Sequence, residues 1–114
     1  MTLNLGGKEL QLRFGLHLGE MLIAEATGKQ KIGTLQFMAM LIFYAHENYC
    51  LGYDLAPAMS KGAIFAYLEE HNADEELAKQ LQVVLTAYND SKTGQTFNEA
   101  AKAGTKKKTP AGVK

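Results

Sequence analysis

The sequence predicts a mainly α fold: an N-terminal β-hairpin followed by about four helices, with a disordered C-terminal tail. Three observations lead to this prediction. An unbroken apolar run extends from Phe37 to Ala45, apolar and polar residues alternate around Gly6-Gly7, and apolar residues recur at helical spacing between Leu77 and Tyr88. A chain of 114 residues is long enough for one domain with a buried core.

The apolar run lies within residues 34–53, the stretch around which we expect the chain to be organised. A helix that is hydrophobic on all sides is typical of a protein interior. A membrane span would need about 20 apolar residues, and this run stops after nine, at His46. The pattern therefore predicts a central core helix, capped by Thr34 and ending near Gly52, and no membrane span.

The N-terminal residues alternate between apolar and polar side chains on both sides of Gly6-Gly7-Lys8. The apolar positions are Leu3, Leu5, Leu10, Leu12 and Phe14. Alternation with period two around a glycine pair predicts a β-hairpin, because glycine readily adopts the positive φ of a tight turn. An isolated hairpin is marginally stable, so its apolar face must pack on the helices or on another chain.

The first helix is predicted from about Leu16 to Thr27, after Gly15 ends the second strand. Its apolar stripe consists of Leu18, Met21, Leu22 and Ala26. Because glycine is common just after the last helical residue, Gly28 is expected there, followed by a polar turn at residues 29–31.

Two further helices are predicted after a loop that contains Pro57. Ser60 is placed to cap the third helix, and Asn72 with Glu75 has the spacing of a capping box for the fourth. Because the turn between these helices is short, we expect them to pack as an antiparallel pair. Their apolar stripes are Ile64, Phe65 and Leu68 in the third helix, and Leu77, Leu81, Val84, Leu85 and Tyr88 in the fourth.

The composition changes after residue 90, which divides the chain into one domain at residues 1–90 and a flexible basic tail at residues 91–114. The sizeable apolar residues of the tail are Phe97 and Val113, so it has little surface to bury against the entropy of ordering. At most a short helix is expected at residues 98–103. Residues 1–101 carry seven basic and twelve acidic side chains, whereas residues 102–114 carry five lysines and no acid. An acidic body therefore precedes a basic tail.

The chain contains one cysteine, Cys50. A single cysteine cannot form an internal disulfide, so nothing points to an oxidising compartment. The N-terminal residues lack the basic and long apolar regions of a signal peptide. The expected location is the cytoplasm.

His46 to Cys50 is the stretch that comes closest to a catalytic motif. The zinc-protease pattern H-E-x-x-H needs a second histidine where Cys50 stands, and a site built from His17, His46 and His71 would require the fold to gather them. A Cys50 nucleophile would need a base such as His46 and a lowered pKa. We therefore expect no metal site, no cofactor and no catalysis, with His46 at a partly exposed helix end and Cys50 as a small buried residue.

The apolar surplus of the central helix leaves two interpretations open. The helix is either entirely the core of a monomer, or it keeps one side for self-association or for a hydrophobic client. Methionine is soft and adaptable, which suits partners of variable shape. The candidate contact residues are Phe37, Met38, Met40, Phe43, Tyr44 and Met59.

The N-terminal layout resembles that of phage tail assembly chaperones, small proteins encoded just before the tape-measure gene of long-tailed phages. The shared features are a hairpin with Gly7-Lys8 at its tip, a second strand ending in Phe14-Gly15 and a helix closing at Gly28. A hydrophobic helix like residues 37–45, a segment like residues 60–68 and a helix with an acidic start like residues 74–88 follow in order. The similarity spans about residues 2–90; Leu16-His17-Leu18-Gly19 departs from the more usual helical residues there.

This resemblance implies a binding protein rather than an enzyme. Members of the family coat the aggregation-prone tape-measure protein in the host cytoplasm until the tail tube polymerises around it, and they are not expected in the mature virion. Many are also made in an extended form, by a programmed frameshift, which is thought to recruit tail tube subunits. The resemblance thus implies the tape-measure protein as partner, and an exposed hairpin edge or the central helix makes a homo-oligomer plausible.

The lysine run Lys106, Lys107 and Lys108 has two interpretations. The run could be encoded by an A-rich slippery sequence and so mark a frameshift site. Alternatively, a flexible cationic tail gains affinity for nucleic acid by counterion release, which would make the chain a small nucleic-acid-associated regulator. The acidic body and the missing aromatic residues between the lysines disfavour this alternative.

Overall fold

The computed structural model describes residues 1–26 and 33–96 and confirms the predicted fold class. The chain is mainly helical and opens with a two-stranded antiparallel sheet. A helical segment at residues 92–96 follows the last long helix. The elements are β1 (Thr2–Leu5), β2 (Lys8–Gln11), α1 (Leu16–Ala26), α2 (Thr34–Gly52), α3 (Lys61–Glu70) and α4 (Glu75–Asp90).

The hairpin forms as its pattern predicts. β1 and β2 are joined by Gly6 and Gly7, whose φ angles of 60° and 87° confirm the expected positive values. Leu3 lies opposite Leu10 in the ladder. All the alternating leucines of the two runs are buried on one face: Leu3, Leu5, Leu10 and Leu12.

The helix α2 is the centre of the molecule and contacts α1, α3, α4 and β2. Leu41, Ile42 and Ala45 are fully buried within it, which confirms the predicted core helix. The predicted cap is wrong by one residue. Gly33 occupies the cap position, because it is extended (φ −65°, ψ 152°) and its carbonyl accepts the hydrogen bond from Phe37 N, so Thr34 is already helical.

The cap of α3 is predicted correctly and that of α4 is not. The hydroxyl of Ser60 accepts a hydrogen bond from Ala63 N. In α4 the cap is Asp74 rather than Asn72, because residues 71–73 form a turn and the Asp74 carboxylate then accepts from the N–H groups of Glu76 and Leu77. A carboxylate at this end also interacts favourably with the helix dipole.

The expected antiparallel pair of α3 and α4 is not observed as a closely packed unit. Both helices pack on α2 instead. Aromatic rings fill the space beside α4: Phe14 and Phe37 meet the Tyr88 ring edge-on, with centroids 6.1 and 6.3 Å away. α4 therefore packs through the Tyr88 ring against the end of the hairpin segment and against α2, which the short connecting turn alone cannot show.

Packed structure continues past residue 90, where the sequence places the start of the tail. The Thr93 hydroxyl donates a hydrogen bond of 3.0 Å to the Phe14 carbonyl, and Gly94 is buried. The domain therefore reaches at least to Gly94. The predicted end of α1 at residues 27–31, the short helix at residues 98–103, and the lysine run all lie outside the described residues.

Candidate functional site

The predicted contact residues of the central helix lie mostly in the core. Met38, Met40 and Tyr44 are buried. Phe37, Phe43 and Met59 are half-buried and pack against the core. For the first three, the interpretation as monomer core is correct, and none of the six is among the large hydrophobic side chains that stand exposed.

An apolar groove of about 550 Å³ opens where the N-terminal half of α2 faces the start of α3. We call it the α2–α3 groove. Met40, from the predicted set, lies at its base beside Ala39. The other lining residues are Gly33, Thr34, Leu35, Gln36, Lys61, Gly62 and Phe65.

Two glycines make this groove accessible. A Cβ atom added to Gly33 or to Gly62 would meet no heavy atom within 4 Å. Both positions therefore border open space, and an approaching chain can come close to the backbone there.

A polar cluster holds the three helices together beside the groove. The Glu25 carboxylate of α1 accepts hydrogen bonds from the Tyr44 hydroxyl, at 2.6 Å, and from the Lys61 ammonium. The same ammonium lies 3.2 Å from the Tyr44 oxygen and 5.3 Å from the centre of its ring. One side chain from each of α1, α2 and α3 is thus joined at one point.

The charges of this cluster follow from its contacts. The hydrogen bond to Glu25, followed by that to Tyr44, raises the pKa of Lys61. Burial, followed by the bond to Glu25, raises the pKa of Tyr44. Lys61 and Tyr44 therefore both keep their protons at neutral pH, and Lys61 places a cation on the wall of an otherwise apolar groove.

His46 is a buried structural residue, and the expectation that it lies at a partly exposed helix end is wrong. Its ring is 5 % exposed. Nδ1 lies 2.9 Å from the Gln11 carbonyl oxygen, and Nε2 lies 2.9 Å from Ala58 N. Since a carbonyl can only accept and an N–H can only donate, the proton is on Nδ1 and the imidazole is neutral. His46 therefore joins β2, α2 and the loop before α3.

Cys50 lies against this ring, with Sγ 3.5 Å from Nε2. The arrangement opposes activation of the thiol. The Nε2 lone pair is already engaged by Ala58 N, and burial, followed by the Glu47 charge, raises the pKa of the Cys50 thiol. A nucleophilic cysteine needs a free base and a lowered pKa. The sequence signal for this contact is the shared helical face of His46 and Cys50.

The other two histidines, His17 and His71, each contact a different residue and do not join His46. His17 Nε2 lies 2.7 Å from a Glu47 oxygen, and His71 stacks on Tyr67 with centroids 4.1 Å apart. Within residues 1–26 and 33–96, no group of three or more His, Cys, Asp or Glu side chains could hold a metal ion.

The exposed apolar side chains are ones that the sequence analysis did not select. Several lie where α2 ends, and Leu16, at the start of α1, is the most exposed at 84 %. Leu16, Leu51 and Tyr53 lie at or next to helix ends, where periodicity carries little information. Ile23 and Val83 lie within α1 and α4, outside the predicted apolar stripes of those helices. They are Met1, Leu16, Ile23, Leu51, Tyr53, Leu55 and Val83.

Over the described part of the chain, none of the helices has the length and apolar content that a membrane crossing requires. No model of a known protein family matches the chain, and no curated protein or solved structure matches it either.

Proposed function

We propose that this protein is a tail assembly chaperone of a long-tailed phage, which binds hydrophobic helical segments of the tape-measure protein in the α2–α3 groove. The observation that carries the proposal is an open apolar groove beside the helix that contains the unbroken apolar run at residues 37–45. The order of elements, with a glycine-tipped hairpin before a helix and then this central helix, also agrees with the layout resemblance of residues 2–90.

The groove has the properties that an amphipathic helix needs in a receptor. Leu35 and Phe65 offer apolar surface along it, above the buried Ala39 and Met40, and a helix docks in such a groove through apolar side chains spaced three or four residues apart. Methionine adapts to different shapes. A chaperone that covers many segments of one long client benefits from such adaptability more than from a tight fit.

Lys61 should make the groove favour client segments that carry an acidic side chain. Its side chain is 41 % exposed, so an acidic side chain next to the client's apolar stripe can approach the ammonium from solvent while Glu25 and Tyr44 hold it from the other side. An exposed ion pair adds little affinity and is screened by salt. Binding would therefore rest mainly on apolar burial and stay reversible, as release of the client to the tail tube requires.

The protein would act in the host cytoplasm, without a cofactor and without bond-making chemistry. An extended form made by frameshifting at the codons of Lys106–Lys108 would add the contact to tail tube subunits. The alternative of a nucleic-acid-associated regulator depends on the same lysines, which lie outside the described residues.

Co-expression with the tape-measure protein of the same genome tests the proposal. We expect a soluble complex with the unaltered chain. Gly62→Phe should fill the groove and abolish recovery of the complex, since open space surrounds Gly62. Ala63→Phe is the matched control: Ala63 is the exposed next residue of α3 and does not line the groove, so this variant should still bind.

A tape-measure protein that stays insoluble beside the unaltered chain would contradict the chaperone function. Equal binding by Gly62→Phe and Ala63→Phe would instead keep the function and move the contact surface elsewhere. Measuring the intact mass of all products expressed from the native coding DNA tests the frameshift separately. We expect a longer minor product that shares the sequence up to about Lys106–Lys108.

A further inference from the structure

The free edge of β1 is a second surface with a defined hydrogen-bonding pattern. Leu12 N donates a hydrogen bond to Met1 O at 2.7 Å, and the terminal ammonium of Met1 donates one to Leu12 O at 3.3 Å. Bonded and non-bonded pairs alternate along an antiparallel ladder. Leu3 and Leu5 therefore direct their backbone groups to β2, whereas Thr2 and Asn4 direct theirs outward.

The two edges of the hairpin differ in how they are covered. On β2, the outward carbonyl of Gln11 is bonded to His46 Nδ1. On β1, the outward N–H and C=O groups of Thr2 and Asn4 have no partner in the part of the chain that the structure describes. Native edge strands are normally protected by charges, prolines or bulges, and residues 2–5 contain no charged residue and no proline.

A groove of about 280 Å³ runs along this edge, between β1 and α4. Met1 and Val83 line it, and both are exposed large hydrophobic residues. Its other lining residues are Thr2, Leu3, Asn4, Gln80 and Val84. The groove thus has no charged side chain and combines unpaired backbone groups with apolar surface, which suits an added β-strand.

We propose that the occupant of this groove is β1 of a second copy of the chain, paired antiparallel about a twofold axis at Leu3. In this register Thr2 of each copy faces Asn4 of the other. Both residues present outward N–H and C=O groups, so the two pairs would form four hydrogen bonds. The result is a continuous four-stranded sheet in the order β2, β1, β1 and β2.

Charge and symmetry favour a second copy over another extended segment. A twofold axis brings like residues together, and the groove has no charged side chain that would repel its copy. The Met1 ammonium is bonded to the Leu12 carbonyl, and in antiparallel pairing the two ammonium groups would lie at opposite ends of the paired strands. The α4 helices of the two copies would lie on the same side of the sheet, so that Val83 of each copy comes close to the axis. A four-residue edge with one apolar patch buries less than the roughly 1,200 Å² of a standard stable interface, so the dimer should dissociate on dilution.

Sedimentation of the full chain over a range of concentrations tests the dimer. We expect reversible dimerisation in the unaltered chain and in Asn4→Ala. Asn4→Pro should be at least tenfold weaker, because proline removes the outward N–H and leaves the bonds within the hairpin intact. Both variants lose the Asn4 Oδ1 bond to Gly7 N, 3.0 Å long in the native chain, so comparison of the two isolates the edge.

Disulfide trapping tests the register even if Asn4→Pro fails to fold. Thr2→Cys mixed with Asn4→Cys should form a covalent dimer under mild oxidation, because Cα atoms of a hydrogen-bonded pair lie about 5.5 Å apart. Thr2→Cys alone should not, since the two Thr2 sites would be about 8 Å apart. Peptide mapping separates these products from any that involve Cys50.

Three results would overturn the proposal. They are an unaltered chain that is monomeric up to about 1 mM, a folded Asn4→Pro variant that dimerises like Asn4→Ala, and trapping by Thr2→Cys alone as fast as in the mixture. None of these measurements depends on the chaperone function.

Discussion

The imidazole Nε2 of His46 accepts a hydrogen bond of 2.9 Å from the backbone N–H of Ala58. This hydrogen bond links the loop that precedes α3 to the central helix. The other ring nitrogen, Nδ1, donates a hydrogen bond to the Gln11 carbonyl of β2. One neutral side chain thus satisfies two backbone groups of separate segments.

His46→Leu should therefore strongly destabilise the fold. The substitution would leave the Ala58 N–H and the Gln11 carbonyl without partners, at a cost of about 1–3 kcal/mol for each group that stays buried. We expect urea unfolding to show a loss of about 2–4 kcal/mol. His71→Leu is the control, because its ring is half-exposed and water can replace its bond to the Tyr67 carbonyl. Equal losses in the two variants would refute the role of His46.

Tyr88→Phe should stabilise the protein. Tyr88 is 1 % exposed, and its hydroxyl has no hydrogen-bond partner in the described structure. Removing an unpaired buried hydroxyl should gain about 1 kcal/mol, since the ring can keep its contacts with Phe14 and Phe37. Tyr44→Phe is the matched variant of opposite sign, because it removes a hydroxyl that is bonded to Glu25. Thermal or urea unfolding of both variants would check this, and destabilisation by Tyr88→Phe would contradict it.

At alkaline pH the ionisation of Tyr88 should lower the free energy of unfolding. Burial raises the pKa of Tyr88 to about 12, from a usual value of 10.0. Below pH 10 the hydroxyl is protonated in both states, so its ionisation does not affect stability. Between pH 10 and 12 the unfolded chain loses this proton first, and stability falls by up to roughly 2–3 kcal/mol. The stability difference between Tyr88→Phe and the native protein should widen over this range, and a constant difference would exclude the effect.

Cys50 should react slowly with thiol reagents in the folded protein. Burial, followed by the Glu47 charge, raises the thiol pKa, so little thiolate is present at neutral pH. We expect the reaction with a disulfide reagent to be at least about tenfold slower than that of free cysteine, and to accelerate in denaturant. A rate equal to or above that of free cysteine would revive the possibility of an activated cysteine.

Gly94→Ala should show that the domain continues past residue 90. A Cβ atom at Gly94 would lie 1.9 Å from the Tyr88 carbonyl oxygen, so the backbone would have to move. We expect a loss of about 1–3 kcal/mol in urea unfolding. Gly62→Ala, which meets open space near the start of α3, should be neutral or slightly stabilising. Equal stability of the two variants would mean that residues 91–96 do not contribute to the folded domain.

Local chemistry explains why much of the architecture can be predicted. The hairpin follows from alternating leucines around Gly6 and Gly7, and the start of α3 follows from Ser60, because each pattern acts over a few neighbouring residues. The caps at Gly33 and Asp74 are harder to predict. Thr34 and Asn72 are equally suitable residues, and the turn that precedes each helix selects between candidates one or two positions apart.

The sequence by itself determined that this protein has a hairpin and four helices, one of which carries apolar residues on every side. Only the tertiary structure decided which apolar side chains are buried, because a helix with apolar residues on every side has no preferred face. It also decided the burial of His46 and the openness of the α2–α3 groove and of the β1 edge. Those properties depend on contacts between residues far apart in the chain, such as His46 with Gln11, which neither periodicity nor spacing records.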